Sequence, residues 1–363
     1  KSLYLEKFEM YSDISDSLSS MIISSDLING VIEGKYTLST IISSVKFVAS
    51  EYLPVLSKTG KDENTISTDN NFDFDIRIDH ISSFSDLLDL KWTTPATLNL
   101  FGYYDDRTRN FRLKSILPEL RYKNLKIADL TLLCENPSQA INIYLNGKTY
   151  TKSKDSIDFF FKSLIKNDSI LSYVDWNNNT AATYAGQLAF ITDFTKDSLN
   201  SIESHTDVLP TNIIFSDTIW NVRRSEIKTT QKKLCVENFI LERENEYLKL
   251  HGVASSNEED SLFLDVHQLR LAYLHQFLPM GVISVDGYVT GNASVSSVFK
   301  NMDLAVFAEV EDFVFNESTL GDAIVQSVWD KKDKKLLTDI AIREGAVEIG
   351  SLRGDIYPQI PIS

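Results

Sequence analysis

The chain has 363 residues, and 43% of them are hydrophobic, which is enough to form a core and excludes wholesale disorder. It carries 51 acidic and 36 basic residues, so its net charge of -15 repels the nucleic-acid backbone and no nucleic-acid partner is expected. The two cysteines, Cys134 and Cys235, lack the spacing of a zinc site. We expect two free, buried thiols, with a single disulfide as the alternative.

The first element predicted along the chain is an amphipathic helix over residues 38–53, within an N-terminal segment of residues 1–62. Thr37 is suited to the N-cap position and Pro54 to ending the helix. Apolar residues recur at helical spacing at Leu38, Ile41, Ile42, Val45, Val48 and Tyr52.

The remaining residues, 63–363, read as a succession of short β-strands with a candidate division near 195–210. Apolar and charged residues alternate strictly over 72–79, and similar alternation recurs at 141–145 and 262–266. Since successive side chains of a strand point to opposite faces, each such strand has one apolar and one polar face. The stretch 155–166 fits either a strand or a helix.

Turn residues punctuate these strands at roughly ten-residue intervals. Asn146-Gly147, Asp286-Gly287 and Glu344-Gly345 are hairpin-type signals. The lysines of 330–335 are interleaved with acids, which predicts a solvated turn. Two short helices are predicted over 83–90 and 269–278.

Together these signals predict a mainly β protein: an elongated, curled antiparallel sheet with one N-terminal helix and one or two short helices. No strand–helix–strand rhythm is present, which argues against a parallel, doubly wound fold.

No local motif for catalysis interrupts the strands. The sequence contains no GxSxG, HExxH, P-loop or GxGxxG motif, and its five histidines are scattered. We therefore predict no catalytic residue, no metal site and no cofactor, and a non-enzymatic role.

The candidate functional residues are the apolar members of two alternating strands, because polarity decides which face of a strand is apolar. They are Phe72, Phe74, Ile76, Ile78, Leu262, Leu264 and Val266. The residues alone leave two arrangements open: an open apolar groove, or a closed core in which the faces pack on each other or on the helix at 38–53.

Short phrases of apolar alternation and glycine follow one another in a distinctive order. They fall at 32–36, 100–104, 219–222, 236–239, 248–252, 260–264, 285–293, 310–313, 320–322, 328–330 and 352–358. This order resembles the large TamB and AsmA-like envelope proteins of diderm bacteria, over most of the chain.

The resemblance implies a periplasmic location, in an excerpt of a longer protein anchored in the inner membrane by an N-terminal helix. It implies a β-taco whose apolar face binds phospholipid acyl chains, for transfer between the inner and outer membranes or for outer-membrane assembly. An outer-membrane β-barrel is a further implied partner. The alternatives are a chaperone-like scaffold for outer-membrane β-proteins, or a β-sandwich carbohydrate-binding or hydrolase module.

Overall fold

The computed structural model describes residues 6–14, 18–56, 69–81, 92–122, 125–150, 156–178, 183–274, 284–300 and 302–357. The protein is mainly β with antiparallel strand pairing and one α-helix among these residues, which confirms the predicted fold class. The chain divides into two compact units, residues 1–195 (unit 1) and 196–363 (unit 2). Among the described residues, no helix is long and apolar enough to cross a membrane.

Unit 1 is built from strands that pair mostly with their neighbours in the chain. They are β1 (Phe8–Ile14), β2 (Ser19–Ser25), β3 (Ile28–Lys35), β4 (Asn71–Ile78), β5 (Trp92–Thr93), β6 (Leu98–Asp105), β7 (Asn110–Tyr122), β8 (Leu125–Glu135), β9 (Ile141–Tyr150), β10 (Ser156–Lys166), β11 (Ser169–Asn177) and β12 (Tyr184–Lys196). The ladder runs from β1 to β12 in order, except that β4 pairs with β6 and the short β5 pairs with β7.

The single α-helix of the described residues, α1, spans Leu38–Tyr52, and a 3-10 turn follows at Pro54–Leu56. The predicted helix is thus confirmed to within one residue. Thr37 occupies the N-cap position, but its side chain makes no capping hydrogen bond. Its backbone N–H instead donates to the side-chain oxygen of Asn70, at 2.8 Å.

Unit 2 begins with an irregular arrangement and continues as a regular ladder. Its strands are β13 (Ile202–Val208), β14 (Thr211–Phe215), β15 (Thr218–Val222), β16 (Ser225–Thr229), β17 (Lys233–Arg243), β18 (Glu246–Ser255), β19 (Ser261–Arg270), β20 (Val285–Ser296), β21 (Asp303–Phe315), β22 (Ser318–Asp330), β23 (Lys335–Glu344) and β24 (Val347–Ile356). The hairpin β14–β15 is inserted between β13 and β16, which pair with each other. From β17 to β24 every strand pairs with the next one.

Register shifts recur at one end of strands β19, β20, β21 and β23, at Val266/Leu269, Asp286/Tyr288, Val310/Phe313 and Ile342/Arg343. A further shift, at Val236/Phe239 of β17, lies nearer the opposite end of the ladder. Each irregularity has the form of a β-bulge, which bends a strand and increases its twist. Because the four shifts on β19, β20, β21 and β23 lie at the same end of the ladder, we infer that they bend the sheet of unit 2 along a common band.

Two of the three predicted hairpin turns are wrong. Glu344-Gly345 does lie at the β23–β24 turn, but Asn146-Gly147 lies inside β9 and Asp286-Gly287 inside β20. A Cβ on Gly147 would lie 2.9 Å from the Phe159 ring, so this glycine allows an aromatic side chain to approach the backbone. Gly287, at a φ of 126°, lies at the register shift of β20.

The predictions for the stretch 155–166, for the lysine run and for the two short helices differ in how they compare with the structure. The stretch 155–166 forms strand β10, and the lysine run forms the β22–β23 turn. The helix predicted over 269–278 is wrong at its start, because Leu269 and Arg270 pair with Val289 and Tyr288 of β20. A 3-10 turn follows at Leu271–Leu274, and both 275–278 and the helix predicted over 83–90 lie outside the described residues.

Both cysteines are free, as expected, but each is only half-buried, whereas buried thiols were predicted. Cys134 lies on β8 in unit 1 and Cys235 on β17 in unit 2. Burial raises the pKa of the Cys134 thiol, so it is held in its neutral form.

Candidate apolar surface

Strand β4 separates apolar from charged side chains. Phe72 is buried and Phe74, Ile76 and Ile78 are half-buried, whereas the charged residues between them are exposed. The four predicted residues therefore share one face of unit 1.

The neighbouring strands extend this face, because residues directly opposite each other in an antiparallel ladder point to the same side. On β6, Leu100 lies opposite Ile76 and Gly102 lies opposite Phe74. The register carries the same face through Leu113, Leu132, Cys134, Ile143, Leu145, Phe161, Val174 and Leu188, on strands β7 to β12. We call this surface the unit 1 face.

Helix α1 closes one end of the unit 1 face. Val48 and Tyr52 are buried and belong to one cluster with Phe72, Ile141 and other core residues of the sheet. Phe74 is partly buried against this cluster, whereas Ile76 and Ile78 are not among its members. Phe72 and Phe74 thus belong to a closed core with the helix, whereas Ile76 and Ile78 lie outside this cluster.

Buried polar groups fix α1 in this position. Asn70, only 1% exposed, donates to Thr40 Oγ1 at 3.0 Å and to Ser44 Oγ at 2.9 Å. Asp106 accepts from the backbone N–H of Asn70 at 2.9 Å and from the Tyr104 hydroxyl at 2.6 Å. The helix is therefore attached to the sheet by directional contacts as well as by apolar packing.

Asn136 attaches the far end of the helix. Its side-chain nitrogen donates to the Tyr52 hydroxyl at 3.0 Å and to the carbonyl oxygen of Arg109 at 2.7 Å. Asp168, in the turn between β10 and β11, accepts from the backbone N–H of Val55 at 2.8 Å. Both ends of α1 are thus bound to the sheet of unit 1.

Leu262, Leu264 and Val266 share a face of β19 in unit 2. Opposite them on β18 lie Gly252, Leu250 and Leu248, and on β20 lie Val295, Ala293 and Gly291. The register continues the face through Phe239, Leu241, Leu304, Val306, Ala308, Val325, Ile340 and Leu352, on β17 and β21 to β24. We call this surface the unit 2 face.

The unit 2 face is half-buried. Leu262, Val306, Val325 and Ile340 are each partly exposed, and Leu264 keeps 37% of its surface accessible. In a closed sandwich such residues would be almost wholly buried. The adjacent Phe263, on the opposite side of β19, is exposed to a similar extent, at 39%.

An aromatic cluster joins the β14–β15 hairpin to the 3-10 turn Leu271–Leu274 that follows β19. The Tyr273 ring contacts Trp220 edge-on at 5.7 Å between centroids and Phe215 at 6.0 Å. Arg243 donates to the Tyr273 hydroxyl at 3.1 Å. Glu246, which pairs with Arg243 in the ladder, is nearly buried, and its Oε2 atom has no hydrogen-bond partner.

Glu246 is expected to weaken the fold at neutral pH. Burial, the largest cause, raises the pKa of its carboxyl, and Arg243 at 4.0 Å offsets this only in part. A carboxyl whose pKa is higher in the folded state than in the unfolded state stabilises the fold fully at pH values below its unfolded-state pKa, near 4.5. This contribution to the free energy of unfolding is lost as the pH rises through the folded-state pKa. Glu246→Gln should therefore raise the urea midpoint at pH 7 but not at pH 4.

The control for this measurement is Glu237→Gln, at an exposed carboxylate paired with Lys228, which should change the midpoint little at either pH. A Glu246→Gln protein less stable than the parent at pH 7 would contradict the prediction.

The sequence singled out only three residues of the unit 2 face. Val306 on β21 and Ile340 on β23 lie in the stretches 304–310 and 336–342, which do not alternate strictly between apolar and polar residues, so period two alone does not identify them. The seven predicted residues are divided between the two units, four on β4 and three on β19.

Comparison with known proteins finds no protein-family model that matches the chain, and no curated protein or solved structure that matches it.

Proposed function

We propose that this chain is a non-enzymatic, periplasmic part of a TamB/AsmA-like protein, and that its apolar sheet faces conduct phospholipid acyl chains between the inner and outer membranes. The observation that carries the proposal is the half-burial of the unit 2 face. Its apolar side chains are shielded from water by their neighbours, yet Leu264 remains accessible to a ligand.

The energetics favour acyl chains as the occupant. Removing a methylene group from water gains about 0.8 kcal/mol, and the effect is non-directional, so a chain could slide along the face without a specific pocket. Strands lie about 4.8 Å apart, so the eight strands β17 to β24 give a face about 34 Å across. The hydrocarbon core of a bilayer, two acyl chains deep, is about 30 Å thick. The face therefore exceeds the length of one acyl chain.

Photo-crosslinking tests the proposal with a control matched in exposure and position. A benzophenone amino acid is placed at Leu264 or at Phe263, which are adjacent, apolar and equally exposed but lie on opposite faces. With the full chain and labelled phospholipid vesicles, we expect adducts at position 264 several-fold above those at 263. Equal labelling, or none at either position in folded protein, would refute an acyl-binding face.

A second candidate function is a scaffold for outer-membrane β-proteins, with a β-barrel protein as the partner. Strand β24 favours it, because nearly all of its side chains are exposed and, among the described residues, it pairs only with β23. An exposed strand edge can template an incoming strand. Protein adducts at β24 without lipid adducts at Leu264 would favour this second function.

A further inference from the structure

Three metal-ligating side chains meet on one face of strands β13 and β16, at the base of the inserted β14–β15 hairpin. Asp207 lies directly opposite Glu226, and His205 lies opposite Lys228. His205 and Asp207 are two residues apart on β13, so both point to the side on which Glu226 lies.

The ligand atoms of these three residues are close together. His205 Nε2 and one carboxylate oxygen each from Asp207 and Glu226 all lie within 4.8 Å of one another. The shortest contact joins His205 Nε2 to Glu226 Oε2, at 3.3 Å. Nε2 is nevertheless buried and has no hydrogen-bond partner, a state that folded proteins avoid.

The neighbouring cations make their hydrogen bonds to other oxygen atoms, although Lys228 also forms a longer ion pair with Glu226. Arg224 makes both of its hydrogen bonds to Oδ1 of Asp207, at 3.2 and 2.9 Å. Lys228 donates to Glu237 at 3.0 Å and lies 3.8 Å from Glu226 Oε2. Oδ2 of Asp207, Oε2 of Glu226 and Nε2 of His205 are therefore left without a strong partner.

We propose that His205, Asp207 and Glu226 form a binding site for a divalent transition-metal ion of the zinc type. One imidazole nitrogen with two carboxylate oxygens suits such an ion, whereas magnesium and calcium prefer oxygen ligands alone. Zinc–ligand distances are about 2.0–2.2 Å, so small side-chain rotations would bring the three atoms into its coordination shell.

Access and charge also suit an ion. The side chains of His205 and Glu226 are 44% and 38% exposed, so the cluster lies at the surface and a rotation of the imidazole would open the buried Nε2 to an ion from solvent. The net charge of -15 concentrates cations near the protein. The bound ion would tie β13 to β16 across the base of the hairpin, and this role does not depend on the proposed lipid function.

Isothermal titration of the full chain with zinc chloride tests the site. We expect one ion per chain, at least tenfold weaker binding in His205→Ala and in Glu226→Gln, and little response to magnesium. The matched control is His251→Ala, because His251 Nε2 lies 2.9 Å from Asp265 in the same unit and, within the described part of the chain, belongs to no such triad. This variant should bind zinc as the parent does.

Thermal unfolding gives a second readout. Zinc should raise the unfolding midpoint of the parent and of His251→Ala, but not that of His205→Ala, since only an ion bound to the folded state stabilises it. Circular dichroism confirms that each variant is folded.

Three results would overturn the proposal: no zinc binding by the parent, zinc binding by His205→Ala within twofold of the parent, or equal affinity for magnesium. Loss of binding in Cys235→Ser with retention in His205→Ala would place the ion at the thiol instead and would also overturn it.

Discussion

Asn70→Ala is expected to lower the free energy of unfolding by about 3 kcal/mol, because it removes side-chain hydrogen bonds to three residues from a site that is 1% exposed. One of these bonds satisfies the backbone N–H of Thr37 at the start of α1, which alanine would leave without its partner. The measurement is urea unfolding followed by far-ultraviolet circular dichroism.

Asn212→Ala is the control for this experiment. Its side chain is exposed and makes no hydrogen bond within the described part of the chain, so the change should stay within about 0.5 kcal/mol. If Asn70→Ala cost less than about 1 kcal/mol, the polar contacts would not be what holds the helix on the sheet, and apolar packing by Val48 and Tyr52 would have to suffice.

Leu264→Glu is expected to slow phospholipid transfer between vesicles at least tenfold. A carboxylate in the middle of the unit 2 face would have to lose water whenever an acyl chain passes over it, and an unpaired charge resists this strongly. Because Leu264 is already 37% exposed, the folded state should tolerate the substitution. Transfer of a fluorescent phospholipid from donor to acceptor vesicles measures the effect.

Phe263→Glu places the same charge one residue away on the other side of the sheet, at a position of equal exposure. It should leave transfer within about twofold of the parent. A parallel loss in both variants would show that charge or stability, and not the apolar face, controls transfer.

The features predicted correctly from sequence are those that depend on neighbouring residues in the chain. Strict alternation placed Phe72, Phe74, Ile76 and Ile78 on one face of β4, because a strand has a period of two wherever it lies in the fold. The spacing of apolar residues along a helix predicted α1 to within one residue, because this period also depends only on local backbone geometry.

The features missed depend on contacts between distant residues. Nothing in the residues around Gly147 indicates that it accommodates Phe159 on the next strand, whereas Asn-Gly is a strong hairpin signal, so the turn predicted there is wrong. True two-residue turns occur at Asn167–Asp168 and at Ser216–Asp217, where all four residues adopt positive φ without any glycine. Such turns carry a weaker sequence signal than Asn-Gly.

The candidate metal site also depends on a contact between residues that are distant in the sequence. His205 and Asp207 could have been placed on one strand face by their spacing, but Glu226 reaches them only because β16 pairs with β13 across an inserted hairpin. The closed end of the unit 1 face also requires tertiary structure, since Asn70 and Asp106 are far from α1 in the sequence.

The ladder of unit 2 has a consequence for how that unit comes apart. Among the described residues, each strand from β18 to β23 is hydrogen-bonded only to the strand before it and the strand after it, as in a solenoid. Fraying can then start at β24 and advance one strand at a time while β18 and β19 keep all their partners. Amide hydrogens should therefore exchange along a gradient, fastest at the open edge, in place of the single cooperative threshold of a compact domain.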